Sequence, residues 1–134
     1  MEKRIIVTVN DHQRLTGLLE FASLKTTELT QRLQHKLSAA RMLKQEDIDG
    51  NVVTMNSRVK LKDLTSKRET EVTITYPQDA APRERRVSVF SEIGLALLGR
   101  KEMEVVSWRV PNGTGLFEIT KVTYQPEAAG DYYL

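Results

Sequence analysis

The sequence predicts an α+β fold: a short N-terminal antiparallel helical hairpin (coiled coil), then an antiparallel sheet of about five strands with one short helix. Three observations predict it. Before the Asp49-Gly50-Asn51 turn, apolar residues recur at the spacing of a single helical face. After that turn they alternate with polar residues at the strand period. Between these strands the run VSVFSEIGLALLG, residues 87–99, reads as a strand, a capped turn and a short apolar helix.

Each element has its own signal. IIVTV, residues 5–9, is β-prone and reads as a short edge strand. Asn10 or Asp11 is placed to cap a first helix reaching about Ala22, with Leu15, Leu18 and Leu19 on one side. Thr26 or Thr27 caps the second, whose stripe runs through Leu29, Leu33, Leu37, Ala40 and Leu43 or Lys44. Roughly 18 residues at 1.5 Å rise give a rod of about 27 Å. The short FASLKT connection makes the two helices antiparallel neighbours.

Beyond Gly50, Val59, Leu61 and Leu64 lie among charged residues, and Val72, Ile74 and Tyr76 alternate with Glu71, Thr73 and Thr75. Pro77 to Glu84 (PQDAAPRE) reads as an exposed loop. Val87 and Val89 form the third strand, Ser91 caps the helix carrying Leu95, Leu97 and Leu98, and Gly99 ends it. Val106, Trp108 and Val110 make the fourth strand, and Pro111-Asn112-Gly113 turns it into GLFEITKVTY. In that fifth strand the apolar set shifts from Phe117 and Ile119 to Val122 and Tyr124, which predicts a bulge near Thr120. The implied organisation is a hairpin at residues 1–48 and a sheet domain at residues 52–134.

Composition narrows the functional classes. A formal charge of +2 is too small to argue for nucleic acid or membrane binding. Without cysteine there is neither a disulfide nor a thiolate metal site. The apolar run of MEKRIIVTVND is too short for a signal peptide, and no stretch approaches a membrane span, so a cytoplasmic protein is expected.

The hairpin-then-sheet order, with VVTMNSRVKLKDL opening the sheet and residues 87–99 in its middle, resembles the Gre transcript-cleavage factors. VVTMNSRVK, residues 52–60, and the terminal YQPEAAGDYYL resemble more closely their shorter relatives, the regulator of nucleoside diphosphate kinase (Rnk) family. The resemblance implies an FKBP-like C-terminal domain, a short coiled coil, and bacterial RNA polymerase as partner, met at the rim of its secondary channel. No cofactor is implied.

Gre factors carry paired acidic residues at the coiled-coil tip that help hold a catalytic Mg²⁺, a task that needs carboxylate oxygens close together. Here the tip, around Ser23, Leu24 and Lys25, has no carboxylate. Glu20 and Glu28 flank it on opposite helices and read as solvated charges. The rod is also shorter than a Gre coiled coil. The expectation is a polymerase binder that is not an enzyme and does not stimulate transcript cleavage. An Asp-Ser-Pro pattern after the third strand contributes to polymerase contact in Gre factors. Its counterparts here are Phe90, Ser91 and Glu92, of which only Ser91 agrees, and Ile93 extends the patch. Alternatively, Ser91 only caps its helix and Phe90 belongs to the core.

Other chemistry finds less support. His12 and His35 sit on different helices and lack partners for a metal or catalytic pair. Asn112-Gly113-Thr114-Gly115 reads as a turn, not a phosphate cradle. The FKBP-like fold raises prolyl isomerase activity, for which Tyr76, Phe90, Trp108, Phe117 and Tyr124 are the aromatic candidates, though periodicity assigns most of them to the core. Direct control of nucleoside diphosphate kinase is a third reading, without a nucleotide motif behind it. Arg83, Arg85 and Arg86 form a basic run without a stacking platform, so direct nucleic-acid binding is disfavoured.

Overall fold

A computed structural model describes residues 4–22 and 27–132 of the chain. Strand β1 (Ile6–Thr8) leads directly into helix α1 (Val9–Ala22), and helix α2 (Glu28–Ser38) returns to strand β2 (Arg41–Leu43). The five-stranded sheet is built from β3 (Arg58–Asp63), β4 (Glu69–Thr75), β5 (Arg86–Ser88), β6 (Val105–Val110) and β7 (Gly113–Tyr124). Helix α3 (Glu92–Leu97) lies between β5 and β6, and helix α4 (Pro126–Ala129) follows β7. Strand order across the sheet is β5-β4-β3-β7-β6.

The α+β expectation stands, with differences that each have a physical cause. The first helix is capped by neither Asn10 nor Asp11. The Asp11 backbone N–H donates to Thr8 Oγ1 at 3.0 Å, so the hydroxyl of Thr8, just ahead of the helix, serves as cap. That leaves the Asp11 carboxylate to turn inward. Thr27 caps α2 as expected, in a reciprocal box with Thr30. The helix stops at Ser38, well before Leu43. Arg41 N–H donates to Ile5 C=O at 2.9 Å, and residues 41–43 then pair with residues 6–8 as parallel strands. With 11 residues, α2 is about 17 Å long instead of about 27 Å.

The large sheet is mixed. Its pairings are antiparallel except for β5 on β4, which is parallel because the 3₁₀ turns at Pro77–Asp79 and Pro82–Glu84 carry the chain back before it re-enters the sheet. Strand β7 is bulged at Thr120 as expected, and again at Thr123. Each extra threonine donates its hydroxyl to the facing β3 carbonyl, Thr120 to Lys60 and Thr123 to Arg58, both at 3.2 Å. The side chain restores a bond that the interrupted ladder lost.

One apolar cluster joins hairpin and sheet. Leu15, Leu33 and Leu37 of the helices pack with Val59, Leu61, Ile74, Leu95, Leu97 and Ile119, all buried. Helices α1 and α2 are also tied by His12, whose ring nitrogen sits 3.1 Å from the Leu37 carbonyl.

Candidate functional site

Helix α3 is held so closely that its approach fixes the surface around it. Ser91 caps it, accepting from the Gly94 N–H at 3.1 Å and donating to the Ser88 carbonyl at 2.6 Å. A side chain at Gly94 would put its Cβ 2.2 Å from the Ser88 oxygen, so only glycine lets the helix lie this close to β5. Gly99 takes the left-handed φ of +79° that ends the helix, and its N–H donates to the Val53 carbonyl. Leu95, Leu97 and Leu98 are buried beneath.

Phe90, Ser91, Glu92 and Ile93 therefore come together at the start of α3, next to α2. All four are half-buried, with Phe90 and Ile93 packed against the edge of the core. Ser91 is a helix cap and Phe90 packs against the core, while the four residues keep part of their surface exposed. Glu92 is bound across the groove to Arg32 of α2, at 3.3 Å, and the Lys36 ammonium donates to the Leu95 carbonyl at 3.1 Å. Sequence reading missed Arg32 because the pair is 60 residues apart and no local pattern links them.

The hairpin tip residues Ser23, Leu24 and Lys25 lie outside the described residues. Glu20 and Glu28 are exposed on α1 and α2 respectively, and Glu28 faces Arg109 of β6 at 3.7 Å. Phe21, at the outer end of α1, is 86% exposed. Among the described residues no group of histidine, aspartate or glutamate side chains is arranged to hold a metal ion. His12 is engaged with α2, whereas His35 is exposed on its surface.

The five aromatic candidates for a proline pocket divide among different surroundings. Trp108 stacks on Phe117, with centroids 3.8 Å apart and planes 4° from parallel. Gly115 leaves the room for this, since a Cβ there would meet the Phe117 ring at 2.6 Å. Tyr76 is buried against α1, its hydroxyl 3.4 Å from Asp11 Oδ1. Tyr124 donates its hydroxyl to Asp131, and that carboxylate holds its phenol above the ordinary range.

The tail has a structural role that no pattern announced. Gln125 caps α4 through Oε1, and its Nε2 donates to the carbonyls of Asp49 and Val52 at 2.6 and 2.8 Å. Glu127, buried, accepts from Thr54 Oγ1 at 2.7 Å, and Thr54 shares a 2.9 Å bond with Ser57. Asp11 stands beside this network, accepting from the Met55 N–H at 3.1 Å. Burial pushes its carboxyl up to about 6, against the pull of that bond, and the Glu127 charge pushes the same way.

The family described as transcription elongation factor, GreA/GreB, C-term matches residues 48–124. The chain belongs to that family. Within it, a "Regulator of nucleoside diphosphate kinase" from Escherichia coli (strain K12) is 35% identical over 131 residues, 97% of this chain and 96% of that protein. Transcription elongation factor GreA of Clostridioides difficile is 41% identical over 91 residues, 68% of this chain but 57% of its own length. Among solved structures, a prokaryotic transcription elongation factor GreA/GreB from Nitrosomonas europaea superposes with a TM-score of 0.80 at 32% identity, covering 90% of this chain and 99% of that one. The transcription factor Gfh1 shares the Gre fold at 23% identity and a TM-score of 0.54.

Proposed function

We propose that the protein regulates transcription by binding bacterial RNA polymerase at the rim of the secondary channel without stimulating transcript cleavage. The 134-residue chain divides in this reading into a docking body, residues 52–134, and an arm, residues 1–48. The observation that carries it is the arm itself. Helix α2 has 11 residues and α1 has 14, about 17 and 21 Å, and the connection between Phe21 and Glu28 contains no aspartate or glutamate. A connection of that composition supplies no paired carboxylates at the tip with which to deliver a cation. The lengths agree: GreA of C. difficile extends well beyond the matched region, whereas the regulator from E. coli is matched almost end to end.

The docking patch we assign to Phe90, Ser91, Glu92 and Ile93, with Arg32 holding Glu92 in place. The test is a backtracked elongation complex. The pure protein should leave the RNA length unchanged and should slow GreA-stimulated shortening in proportion to its concentration. Phe90→Ala should weaken that competition by about tenfold or more, as expected for an aromatic interface anchor. Robust RNA shortening by the protein alone overturns the reading. The name of the E. coli relative supports a second reading, direct contact with nucleoside diphosphate kinase. Co-elution with the purified kinase in the absence of polymerase would favour it.

A further inference from the structure

Strand β6 lies at one end of the sheet, and among the described residues no strand other than β7 pairs with it. The Ile119 N–H donates to the Glu104 carbonyl at 3.0 Å, and this sets the phase of the ladder. With residues 104 and 119 bonded, the alternation of an antiparallel pair turns the backbone groups of Val105, Ser107 and Arg109 away from β7. The same phase turns Leu116, opposite Ser107, towards the other side, where its carbonyl accepts from the Leu64 N–H. The outer edge thus offers alternating donors and acceptors.

That edge is one wall of a cleft of about 510 Å³ whose other wall is α2. The lining includes Arg32, His35, Lys36 and Arg100, with Glu28 as its one carboxylate, and Glu28 itself faces Arg109. The Arg100 side chain is largely buried, and its nearest carboxylate is Glu104 at 3.9 Å. Its Nε is buried and, among the described residues, is the one buried side-chain polar atom without a hydrogen-bond partner. A donor in that state costs free energy until an acceptor arrives. Beside the edge, Val105 and Leu116 are about half exposed, leaving apolar surface for alternate side chains of an added strand.

We propose that this cleft binds an extended acidic segment of a partner protein, added as a sixth strand along β6. Backbone bonds to Val105, Ser107 and Arg109 give the affinity, and carboxylates reaching Arg100 and Lys36 give the preference for acid. The site borders the patch at the start of α3, Arg32 lying between them, and its strand edge binds whether or not that patch meets polymerase.

The test uses the full chain and a labelled hexapeptide alternating glutamate and valine, with a lysine–valine hexapeptide as control. Fluorescence anisotropy should show saturable binding of the acidic peptide, at least about tenfold tighter than the control. Ser107→Pro removes an outward donor on an edge strand, where proline is tolerated, and should cut affinity by about tenfold. Arg100→Gln should narrow the difference between the two peptides. In the unaltered protein, the amides of Val105, Ser107 and Arg109 should become protected from hydrogen exchange when peptide is added. Equal affinity for both peptides overturns the proposal, as does peptide binding without protection of those amides. Sedimentation showing a dimer that Ser107→Pro dissociates, which assigns the edge to a second copy, overturns it too.

Discussion

Asp11 shows how one inward-facing carboxylate sets a pH dependence. It is 5% exposed, accepts from the Met55 N–H, and has its pKa raised from 3.8 to about 6, chiefly by burial. Between those values the folded protein holds a proton that the unfolded chain has released. Its contribution to stability therefore falls as the pH rises from about 4 to 6, and the ionised carboxylate is a burden at neutral pH. A shift of about two pKa units corresponds to roughly 3 kcal/mol. Asp11→Asn keeps an acceptor for Met55 and a partner for the Tyr76 hydroxyl without the charge. It should be more stable than the parent at pH 7 by about 1–3 kcal/mol, and the advantage should shrink as the pH falls and vanish below about pH 3.8. Urea unfolding of both proteins across that range measures it. Equal slopes with pH would show that Asp11 is not the group responsible.

At the scale of elements, the contact of α3 with β5 is the tightest constraint in the sheet domain. A methyl group on residue 94 must displace Ser88, whose carbonyl also accepts from the Ser91 hydroxyl. Gly94→Ala should thus destabilise the fold by about 1–3 kcal/mol, read from the urea midpoint, and loosen the Ser91 cap with it. This helix was readable in the sequence because a capping serine, an apolar run and a terminal glycine all occur within 13 residues. The long strands were readable for a related reason: Val59 and Leu61, or Val106 and Trp108, repeat the period often enough to declare a buried face. Strand β2 was not. Three residues are too few for a period, and Leu43 continues the stripe of α2, so periodicity alone extends the helix past Ser38. Helix α4 has only four residues, and the Gln125 side chain that caps it is tied to Asp49 and Val52 by long-range bonds that no local pattern contains. At the candidate site the same division holds. The capping role of Ser91 follows from its neighbours, whereas the bond of Glu92 to Arg32 exists only once two helices meet.

For the molecule as a whole, hairpin and sheet share one core. Leu33 of α2 is fully buried in the cluster that also holds Ile74 and Leu95. Leu33→Ala should cost about 2–5 kcal/mol and lower the unfolding midpoint of hairpin and sheet together. Far-UV circular dichroism, weighted towards helices, should trace the same transition as Trp108 fluorescence, which reports on the sheet. Two separate transitions would mean that the hairpin melts independently. The parallel pair β1–β2 adds a mechanical consequence. Both legs of the arm leave the body as hydrogen-bonded strands, and the first is also clamped by the Ile6 N–H to the Gly99 carbonyl. Swinging the hairpin would require tearing backbone bonds at its base, so it behaves as a bracket more than a lever: whatever holds the sheet also aims α1 and α2.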